Sequence, residues 1–234
     1  MNDQILFGDC YKLLNTIESS SVDLILIDPP YQISRKSNFK KNSSNTKYNN
    51  IDIDFGVWDH QEIDLDLLFS EFKRVLNKNG YLIIFYDIWK SQTLKHHADK
   101  FGFKQPRVGQ WVKTNPVPIN SKKNYLSNSI EFFFTFVKGK NPTFNSTYDK
   151  GIYNYPLCHG KERTKHPTQK PLNLIKDLIL KHSDEGSVVL DCFAGSGTTG
   201  LACKTLNRNF ILMENDQSYY DIIVDRFKLQ FDRV

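Results

Sequence analysis

Short apolar runs alternate with segments of helical length along the 234-residue chain. This alternation favours an α/β architecture, in which helices cover both faces of a mostly parallel sheet. Residues 22–27 are almost continuously apolar, as expected of a strand buried on both sides, and Pro29 and Pro30 end that strand. We predict seven strands, at residues 5–7, 22–27, 81–86, 107–113, 130–137, 187–190 and 210–213.

Helical patterns fill most of the intervals between these strands. Asp9 and Thr168 are suitable N-cap residues, and Pro171 would fall in a first turn, where its missing N–H costs little. Gly80 follows the second helix, where a helix end is expected. The predicted helices span residues 9–17, 61–76, 88–100, 168–182, 196–206 and 216–229. Residues 32–58 and 139–165 lack periodicity, so we predict two long loops within a single domain, residues 1–234.

The composition excludes several classes of protein. Apolar residues make up 39% of the chain, which supplies a core and argues against disorder. No apolar run approaches the ~20 residues needed to cross a bilayer, and the polar start of the chain does not resemble a secretory signal. The four cysteines form no C-x-x-C pair, which argues against a zinc ribbon or a disulfide scaffold. We therefore expect a cytoplasmic protein without a metal site.

The formal net charge of +5 hides a strong segregation of charge. Residues 34–50 and 104–125 each carry five cations and no acid, and residues 138–170 carry seven cations and two acids. Together these segments carry +15, so the rest of the chain carries −10. Segregation of this kind indicates a polyanionic partner such as nucleic acid, although solvated loops would give the same counts.

A glycine-rich turn follows the predicted strand at residues 187–190. Its glycines fit the pattern G-x-G-x-x-G, in which the backbone passes close to a ligand and a helix N-terminus offers N–H donors: Gly195, Gly197 and Gly200. Glu214, which ends the next strand, could accept both hydroxyls of a ribose. This pattern alone permits a nicotinamide cofactor. Asp191, at the tip of the strand, would repel a pyrophosphate and attract the ammonium and sulfonium groups of S-adenosylmethionine.

A second corner, Asp28-Pro29-Pro30-Tyr31, ends an apolar strand, where ligands of open α/β sheets bind. Asp28 and the carbonyl group before Pro30 are hydrogen-bond acceptors, and Tyr31 offers a flat stacking surface. Two acceptors and one aromatic face suit a planar ring with an exocyclic amine. The acceptors would localise the lone pair of that amine and stabilise the positive charge that develops as it attacks a methyl group. A base in duplex DNA would first have to be flipped out.

Five motifs, taken together, resemble those of the amino-group DNA methyltransferases of the β arrangement, which are typical of bacterial restriction–modification systems. In this arrangement the Asp-Pro-Pro-Tyr motif comes first and the glycine motif comes near the end. The matching segments are Gly-Asp at 8–9, Asp-Pro-Pro-Tyr at 28–31, Trp-x-Lys-x-Asn-Pro at 111–116, His-Pro-Thr-Gln-Lys-Pro at 166–171 and Asp-x-Phe-x-Gly-Ser-Gly-Thr-Thr at 191–199. Cys192 departs from the family, which usually has proline there.

The resemblance implies a Rossmann-like methyltransferase fold: a seven-stranded, mostly parallel sheet with a circularly permuted order of motifs. S-adenosylmethionine would lie across the carboxyl ends of the strands, with its adenine near Asp9 and Cys10 and its ribose on Glu214. Residues around its methionine part would be Asp191, Phe193, Gly195, Gly197, Thr198 and Thr199, and those at its amino-acid end His166, Thr168, Gln169 and Lys170. Catalysis would rest on Asp28, Pro29, Pro30 and Tyr31.

The resemblance also implies double-stranded DNA as the partner, often together with a cognate restriction endonuclease and a homodimeric assembly. Residues 139–165 would recognise the target sequence, and the loop at residues 34–58 would face DNA and close on it. Cations in these basic segments would contact mainly phosphates. The candidates are Arg35, Lys36, Lys40, Lys41, Lys47, Lys122, Lys123, Lys161 and Arg163.

The motifs exclude some activities other than adenine-N6 methylation and leave others open. A cytosine-carbon methyltransferase needs Pro-Cys-Gln, and a zinc deaminase needs H-x-E with P-C-x-x-C; neither pattern occurs. Methylation of cytosine N4 remains open, although Ser more often begins the catalytic motif there. An RNA adenine methyltransferase remains open too, although those relatives more often begin that motif with Asn. A nicotinamide-dependent dehydrogenase or an inactive DNA-binding module would leave residues 28–31 unexplained.

Overall fold

The computed structural model describes residues 3–30, 63–116 and 128–231. Within these ranges there are eight strands: β1 (Gln4–Phe7), β2 (Val22–Ile27), β3 (Leu76–Phe85), β4 (Lys104–Lys113), β5 (Ile130–Val137), β6 (Ile152–Tyr155), β7 (Val188–Asp191) and β8 (Asn209–Glu214). The α-helices of the same ranges are α1 (Cys10–Leu14), α2 (Leu65–Val75), α3 (Ser91–Lys100), α4 (Leu172–His182), α5 (Thr198–Thr205) and α6 (Gln217–Phe231).

All eight strands form one sheet in the order β1-β8-β7-β2-β3-β5-β4-β6. Every pairing is parallel except those of β5, which runs antiparallel to both β3 and β4. The carboxyl ends of β1, β8, β7, β2, β3, β4 and β6 therefore lie at one edge of the sheet, and the start of β5 lies there with them. We call this edge the carboxyl edge. The predicted α/β fold with a mostly parallel sheet is confirmed.

Two apolar clusters form the core, one on each face of the sheet. Successive residues of β2 point to opposite faces. Ile25 and Ile27 join the cluster beneath α1, α2 and α3, whereas Leu24 and Leu26 join the cluster beneath α4, α5 and α6. Burial on both faces explains why β2 is apolar almost throughout, as the sequence predicted.

The start of β3 lies earlier in the chain than the sequence predicted. α2 ends at Val75, and β3 begins at Leu76, five residues before the predicted start at Tyr81. Gly80 therefore lies within the strand and does not end a helix. A Cβ at this position would lie 2.7 Å from Leu76 Cδ2 and 3.0 Å from the Asp23 carbonyl oxygen, so the close approach of β2 requires glycine here.

The strand β6 raises the number of strands from the predicted seven to eight. It lies within residues 139–165, which were predicted to be irregular, and it pairs in parallel with β4, with Trp111 opposite Tyr153. Both of these side chains are buried, and Trp111 Nε1 donates to the Tyr155 carbonyl oxygen at 2.8 Å. Only Tyr153 of the four residues in β6 is buried, so the strand is too short and too exposed to show a periodic apolar pattern in the sequence.

The two predicted N-caps had different outcomes. Asp9 caps α1, because its Oδ1 atom accepts the N–H of Tyr11 at 2.9 Å. Thr168 was predicted to cap α4, but that helix begins at Leu172, and its N-cap residue is Pro171. The N–H of Leu172 instead donates to Glu162 Oε1 at 2.6 Å. Across the described ranges, no helix is both long enough and apolar enough to span a membrane.

Candidate active site

A cavity of about 410 Å³ opens at the carboxyl edge of the sheet. Its walls come from the segments that follow β1, β2, β7 and β8, together with residues 166–170, which precede α4. Its volume is in the range of pockets that hold drug-sized ligands. The fold therefore brings five separate chain segments to one site.

Nearly all of the predicted site residues that the structure describes line this cavity. Three come from the Asp-Pro-Pro corner: Asp28, Pro29 and Pro30. Twelve come from the predicted cofactor set: Asp9, Cys10, His166, Thr168, Gln169, Lys170, Asp191, Phe193, Gly195, Thr198, Thr199 and Glu214. Gly197 lies outside the lining, and Tyr31 lies outside the described residues.

The glycine loop owes its shape to backbone angles that other residues rarely adopt. Gly195 has φ +54° and Gly197 has φ +74°, and Gly197 is the N-cap residue of α5. A Cβ on Gly197 would lie 2.9 Å from Ile223 Cγ2, so this glycine lets α6 pack against the loop. Gly197 therefore shapes the site without forming its wall.

Asp191 ends β7 and is 5% exposed. Its Oδ2 atom accepts the hydroxyl of Thr199 at 2.6 Å, and its Oδ1 atom accepts the N–H of Phe193 at 3.1 Å. Burial raises the pKa of Asp191 to about 7, and the nearby carboxylates Asp28 and Glu214 add to this increase. A cation in the cavity would favour the ionised form, so the site is suited to a positively charged ligand.

Glu214 ends β8 and holds the glycine loop in place. Its Oε2 atom accepts the N–H of Gly195 at 2.7 Å, and its Oε1 atom accepts the N–H groups of Asn215 and Asp216 at 3.0 and 2.9 Å. Burial raises the pKa of this carboxyl group, and the three N–H donors oppose that effect. Each carboxylate oxygen has two lone pairs, so Oε2 can accept a further hydroxyl from a ligand. The predicted ribose contact stays a prediction.

The Asp28 carboxylate lies in a cluster of alternating charges. Its Oδ2 atom pairs with Lys170 Nζ, which also lies 3.2 Å from Glu131 Oε2, and Lys113 Nζ pairs with Glu131 Oε1 at 2.8 Å. Asp28 Oδ1 has no hydrogen-bond partner among residues 3–30, 63–116 and 128–231. Burial raises the pKa of Asp28, and Lys170 opposes this effect. For Glu131 burial acts in the same direction, but Lys170 and Lys113 outweigh it and lower the pKa.

His166 lies between the glycine loop and α6. Its ring centroid is 4.4 Å from that of Tyr219, and its Nε2 atom would lie 2.8 Å from a Cβ placed on Gly195. Burial, and next the positive charge of Lys170, lower the pKa of His166 to about 4, so the imidazole is neutral at neutral pH. His166 thus packs against α6 and leaves no room for a side chain on Gly195.

The segment that precedes α4 is held in place by Gln169. The Gln169 Oε1 atom accepts both the backbone N–H and the hydroxyl of Thr164, at 2.8 and 2.9 Å, and its Nε2 atom donates to the Glu162 carbonyl oxygen at 2.9 Å. These bonds indicate that Gln169 shapes the wall formed by residues 162–170. Lys161 and Arg163 of this region are exposed, and Arg163 donates to the Pro167 carbonyl oxygen at 3.0 Å.

The other predicted DNA contacts lie outside the described residues, as does the predicted DNA-facing loop at residues 34–58. They are Arg35, Lys36, Lys40, Lys41, Lys47, Lys122 and Lys123.

Glu131, Lys113 and Tyr219 belong to the site although no sequence motif pointed to them. Glu131 could have been found from topology, because the first residues of an antiparallel strand lie beside the last residues of its parallel neighbours. The sequence feature that indicates a site residue is the single acid, Glu131, near the start of the apolar run at residues 130–137. Tyr219 carries no such signal, because the surface of α6 is not periodic enough to single it out.

Known proteins share both this sequence pattern and this fold. The N6/N4 family of DNA methylases matches residues 22–225. The type II methyltransferase M.HinfI of Haemophilus influenzae is 32% identical over 96% of this chain and 68% of its own length. The type II methyltransferase M2.MboI of Moraxella bovis is 29% identical over 97% of this chain and 88% of its own length.

Two solved structures have a fold similar to that of this chain. The complex of M1.HpyAVI with S-adenosylmethionine has a TM-score of 0.70 and 30% identity, covering 95% of this chain and 98% of its own. The cytosine-N4-specific PvuII DNA methyltransferase has a TM-score of 0.73 and covers 97% of this chain and 86% of its own, but at 19% identity it shows the fold alone. The match over residues 22–225, the relatives and the cavity together show that this chain belongs to the N6/N4 family of DNA methylases and is an S-adenosylmethionine-dependent DNA methyltransferase.

Proposed function

We propose that this enzyme methylates N6 of adenine at a specific sequence in double-stranded DNA, as the modification enzyme of a type II restriction–modification system. The observation that carries this proposal is the Asp28 carboxylate, which lines the cavity with its Oδ1 atom unpartnered among the described residues. An acceptor at this position suits an exocyclic amine. Aspartate as the first residue of the motif favours adenine, because serine is more common there in the cytosine-N4 enzymes.

The chemistry follows from the acceptors at this corner. Asp28 Oδ1 and the carbonyl oxygen of Pro29 accept hydrogen bonds from the two N–H groups of the amine. These bonds localise the lone pair on nitrogen, so that it can attack the methyl group. The N–C bond forms as the bond between sulfur and the methyl carbon breaks, with no covalent link to the protein. The nitrogen gains positive charge in this step, and the negative charge of Asp28 stabilises it until one N–H proton passes to water. Holding the amine close to the methyl group lowers the entropic part of the activation barrier.

The cavity residues fit S-adenosylmethionine, which supplies an electrophilic methyl group when bound. Asp191 provides a buried carboxylate whose ionised form a cationic ligand would favour. Glu214 holds the glycine loop through its bond to the Gly195 N–H, and its Oε2 atom would accept a ribose hydroxyl. Asp9 and Cys10 at the start of α1 form the wall nearest to β1, where the adenine ring is expected.

Recognition of DNA would involve the basic segments of the chain. Lys161 and Arg163 are exposed and lie in the stretch at residues 139–165, which we assign to recognition of the target. The loop at residues 34–58 would close on DNA, and Tyr31 would stack on the flipped base and offset part of the few kcal/mol that flipping costs. These assignments rest on charge and on the resemblance of the motifs.

The biological setting follows from the same proposal. A modification enzyme acts where the genome is, so we place it in the cytoplasm, together with a restriction endonuclease of the same specificity. The relatives M.HinfI and M2.MboI bear the name type II methyltransferase. A homodimer is common in this family and is part of the proposal.

Methyl transfer from labelled S-adenosylmethionine to unmethylated DNA, followed by mass spectrometry of the nucleosides, tests the proposal. N6-methyladenine is the expected product. N4-methylcytosine would keep the mechanism and overturn the target. Transfer to RNA but not to duplex DNA would overturn the proposed substrate.

A further inference from the structure

Asp28 and Lys170 extend into a chain of four charges that reaches across the sheet. The order is Asp28 after β2, Lys170 before α4, Glu131 at the start of β5 and Lys113 at the end of β4. The charges alternate and sum to zero. Only Asp28, Pro29, Pro30 and Tyr31 have a part in the proposed chemistry, so Glu131 and Lys113 need a separate explanation.

The geometry gives Glu131 a definite relation to Asp28. Both carboxylates approach the same ammonium group, Lys170 Nζ, and the lysine side chain is only 9% exposed. Lys170 binds Asp28 through Oδ2 and leaves Oδ1 for the substrate. Glu131 Oε2 lies 3.2 Å from the same nitrogen and forms an ion pair with it. The position of Lys170 therefore depends on a competition between two carboxylates.

We propose that Glu131 is a positioning residue for methyl transfer: by sharing the Lys170 ammonium it fixes the orientation of Asp28 and keeps that carboxylate a strong acceptor for the substrate amine. This inference rests on the proposed role of Asp28. With Lys170 bound to Asp28 alone, the ammonium would neutralise the carboxylate and weaken its bond to the amine. Lys113 in turn compensates Glu131, so that Glu131 does not draw Lys170 away completely.

The surrounding charges agree with this role. The titratable groups that face Asp28 are Lys170 from the segment before α4, Glu131 from β5 and Asp191 from β7. Lys170 lowers the pKa of Asp28, although burial has the larger, opposite effect, and Glu131 raises it. Removal of the Glu131 charge should therefore make Asp28 less basic, whereas a merely structural residue would have no such effect.

The variant Glu131→Gln tests the proposal, because it keeps the size of the side chain and removes its charge. We expect the single-turnover rate of methyl transfer at neutral pH to fall about tenfold, since small losses of orientation are costly. The dissociation constant for S-adenosylmethionine should stay within about twofold, because Glu131 is not among the predicted cofactor contacts. The acid limb of the rate profile should move to lower pH by on the order of one pH unit.

A second variant, Lys113→Met, gives the opposite sign. Without Lys113, Glu131 competes more strongly for Lys170, so Asp28 becomes more basic and the acid limb moves to higher pH. Loss of stability alone would not move the two profiles in opposite directions. Glu71→Gln is the matched control, because Glu71 is a partly buried carboxylate paired with Arg74 on α2, away from the cavity, and it should leave the profile unchanged.

An unchanged acid limb in Glu131→Gln, or a shift to higher pH, would overturn the inference. The readout is transfer of labelled methyl groups, whichever amine receives them. A product other than N6-methyladenine would therefore refute the proposed target and leave the test of Glu131 valid.

Discussion

The variant Asp191→Asn should make the cofactor-free protein more stable at pH 8 and less able to bind S-adenosylmethionine. Asp191 is buried, and its pKa is raised to about 7 from an ordinary value of 3.8. Between pH 3.8 and about pH 7, the Asp191 carboxyl group is therefore protonated in the folded chain and ionised in the unfolded chain. Stability is lost as the pH rises through this window, and the loss is complete above about pH 7.

The size of the effect follows from the same shift in pKa. A difference of about three pH units corresponds to about 4 kcal/mol of free energy of unfolding. The side-chain oxygen of asparagine can still accept the Phe193 N–H. Its amide nitrogen replaces the oxygen that accepts the Thr199 hydroxyl, and loss of this hydrogen bond costs about 1 kcal/mol. A net gain of about 3 kcal/mol would raise the melting temperature by roughly 5–10 °C in a chain of this length.

Thermal unfolding at pH 5 and pH 8, with and without S-adenosylmethionine, measures both effects. The gain in melting temperature should be large at pH 8 and small at pH 5, where the folded wild-type protein still holds the Asp191 proton and only the unfolded chain has lost it. The cofactor should stabilise the wild type strongly and the variant weakly. Asp225→Asn, which removes one exposed carboxylate from α6, should stay within about 0.5 kcal/mol of the wild type. A variant no more stable than wild type at pH 8 would show that burial of the ionised Asp191 carboxylate does not destabilise the fold.

Three further predictions concern catalysis, the cofactor and DNA. Asp28→Ala should abolish methyl transfer while the calorimetric affinity for S-adenosylmethionine stays nearly intact, and appreciable turnover would contradict the role of Asp28. Gly195→Ala combines φ +54° with a Cβ 2.8 Å from His166 Nε2, so titration should show cofactor affinity about tenfold weaker; an unchanged dissociation constant would mean that the loop adapts freely. DNA binding should weaken, and its dependence on salt should flatten, when three cations are replaced together by glutamine: Lys40, Lys41 and Lys47. An unchanged salt slope would mean that these lysines do not contact phosphates.

Much of the fold could be predicted because its central strands are buried on both faces. β2 and β5 have the predicted bounds, since their apolar runs end abruptly at Asp28 and begin abruptly after Ser129. The start of β3 could not be predicted, because residues 77–80 are polar and glycine-containing and resemble a turn. They form a strand because Asn77 donates to Asp23 Oδ1 at 2.5 Å and Leu76 pairs with Val22, contacts made across the sheet.

The site was predictable where its residues lie within local motifs. Asp191 and Glu214 follow strands, and parallel strands bring such residues to one edge. The ion pair of Asp28 with Lys170 joins residues 142 positions apart. The periodic pattern of apolar residues does not predict contacts between residues so far apart in sequence. Glu131 was missed for the same reason, since its partners come from other parts of the chain. Thr168 was wrongly predicted as the cap of α4. The acceptor for the first N–H of that helix is Glu162, a contact that the local sequence pattern does not show.

The pairing of β1 with β8 has a consequence for how such enzymes could evolve. The strand nearest the start of the chain lies parallel to the last strand, and α6 follows β8 and packs back against it through Phe227 and Phe210. β8, α6 and β1 thus have the arrangement of a β-α-β unit without its final connection. A gene in which β1 directly followed α6, opened instead at another surface loop, would encode the glycine motif before the Asp-Pro-Pro corner. The same cavity would form, so the order of motifs could change by gene rearrangement without any change in the chemistry.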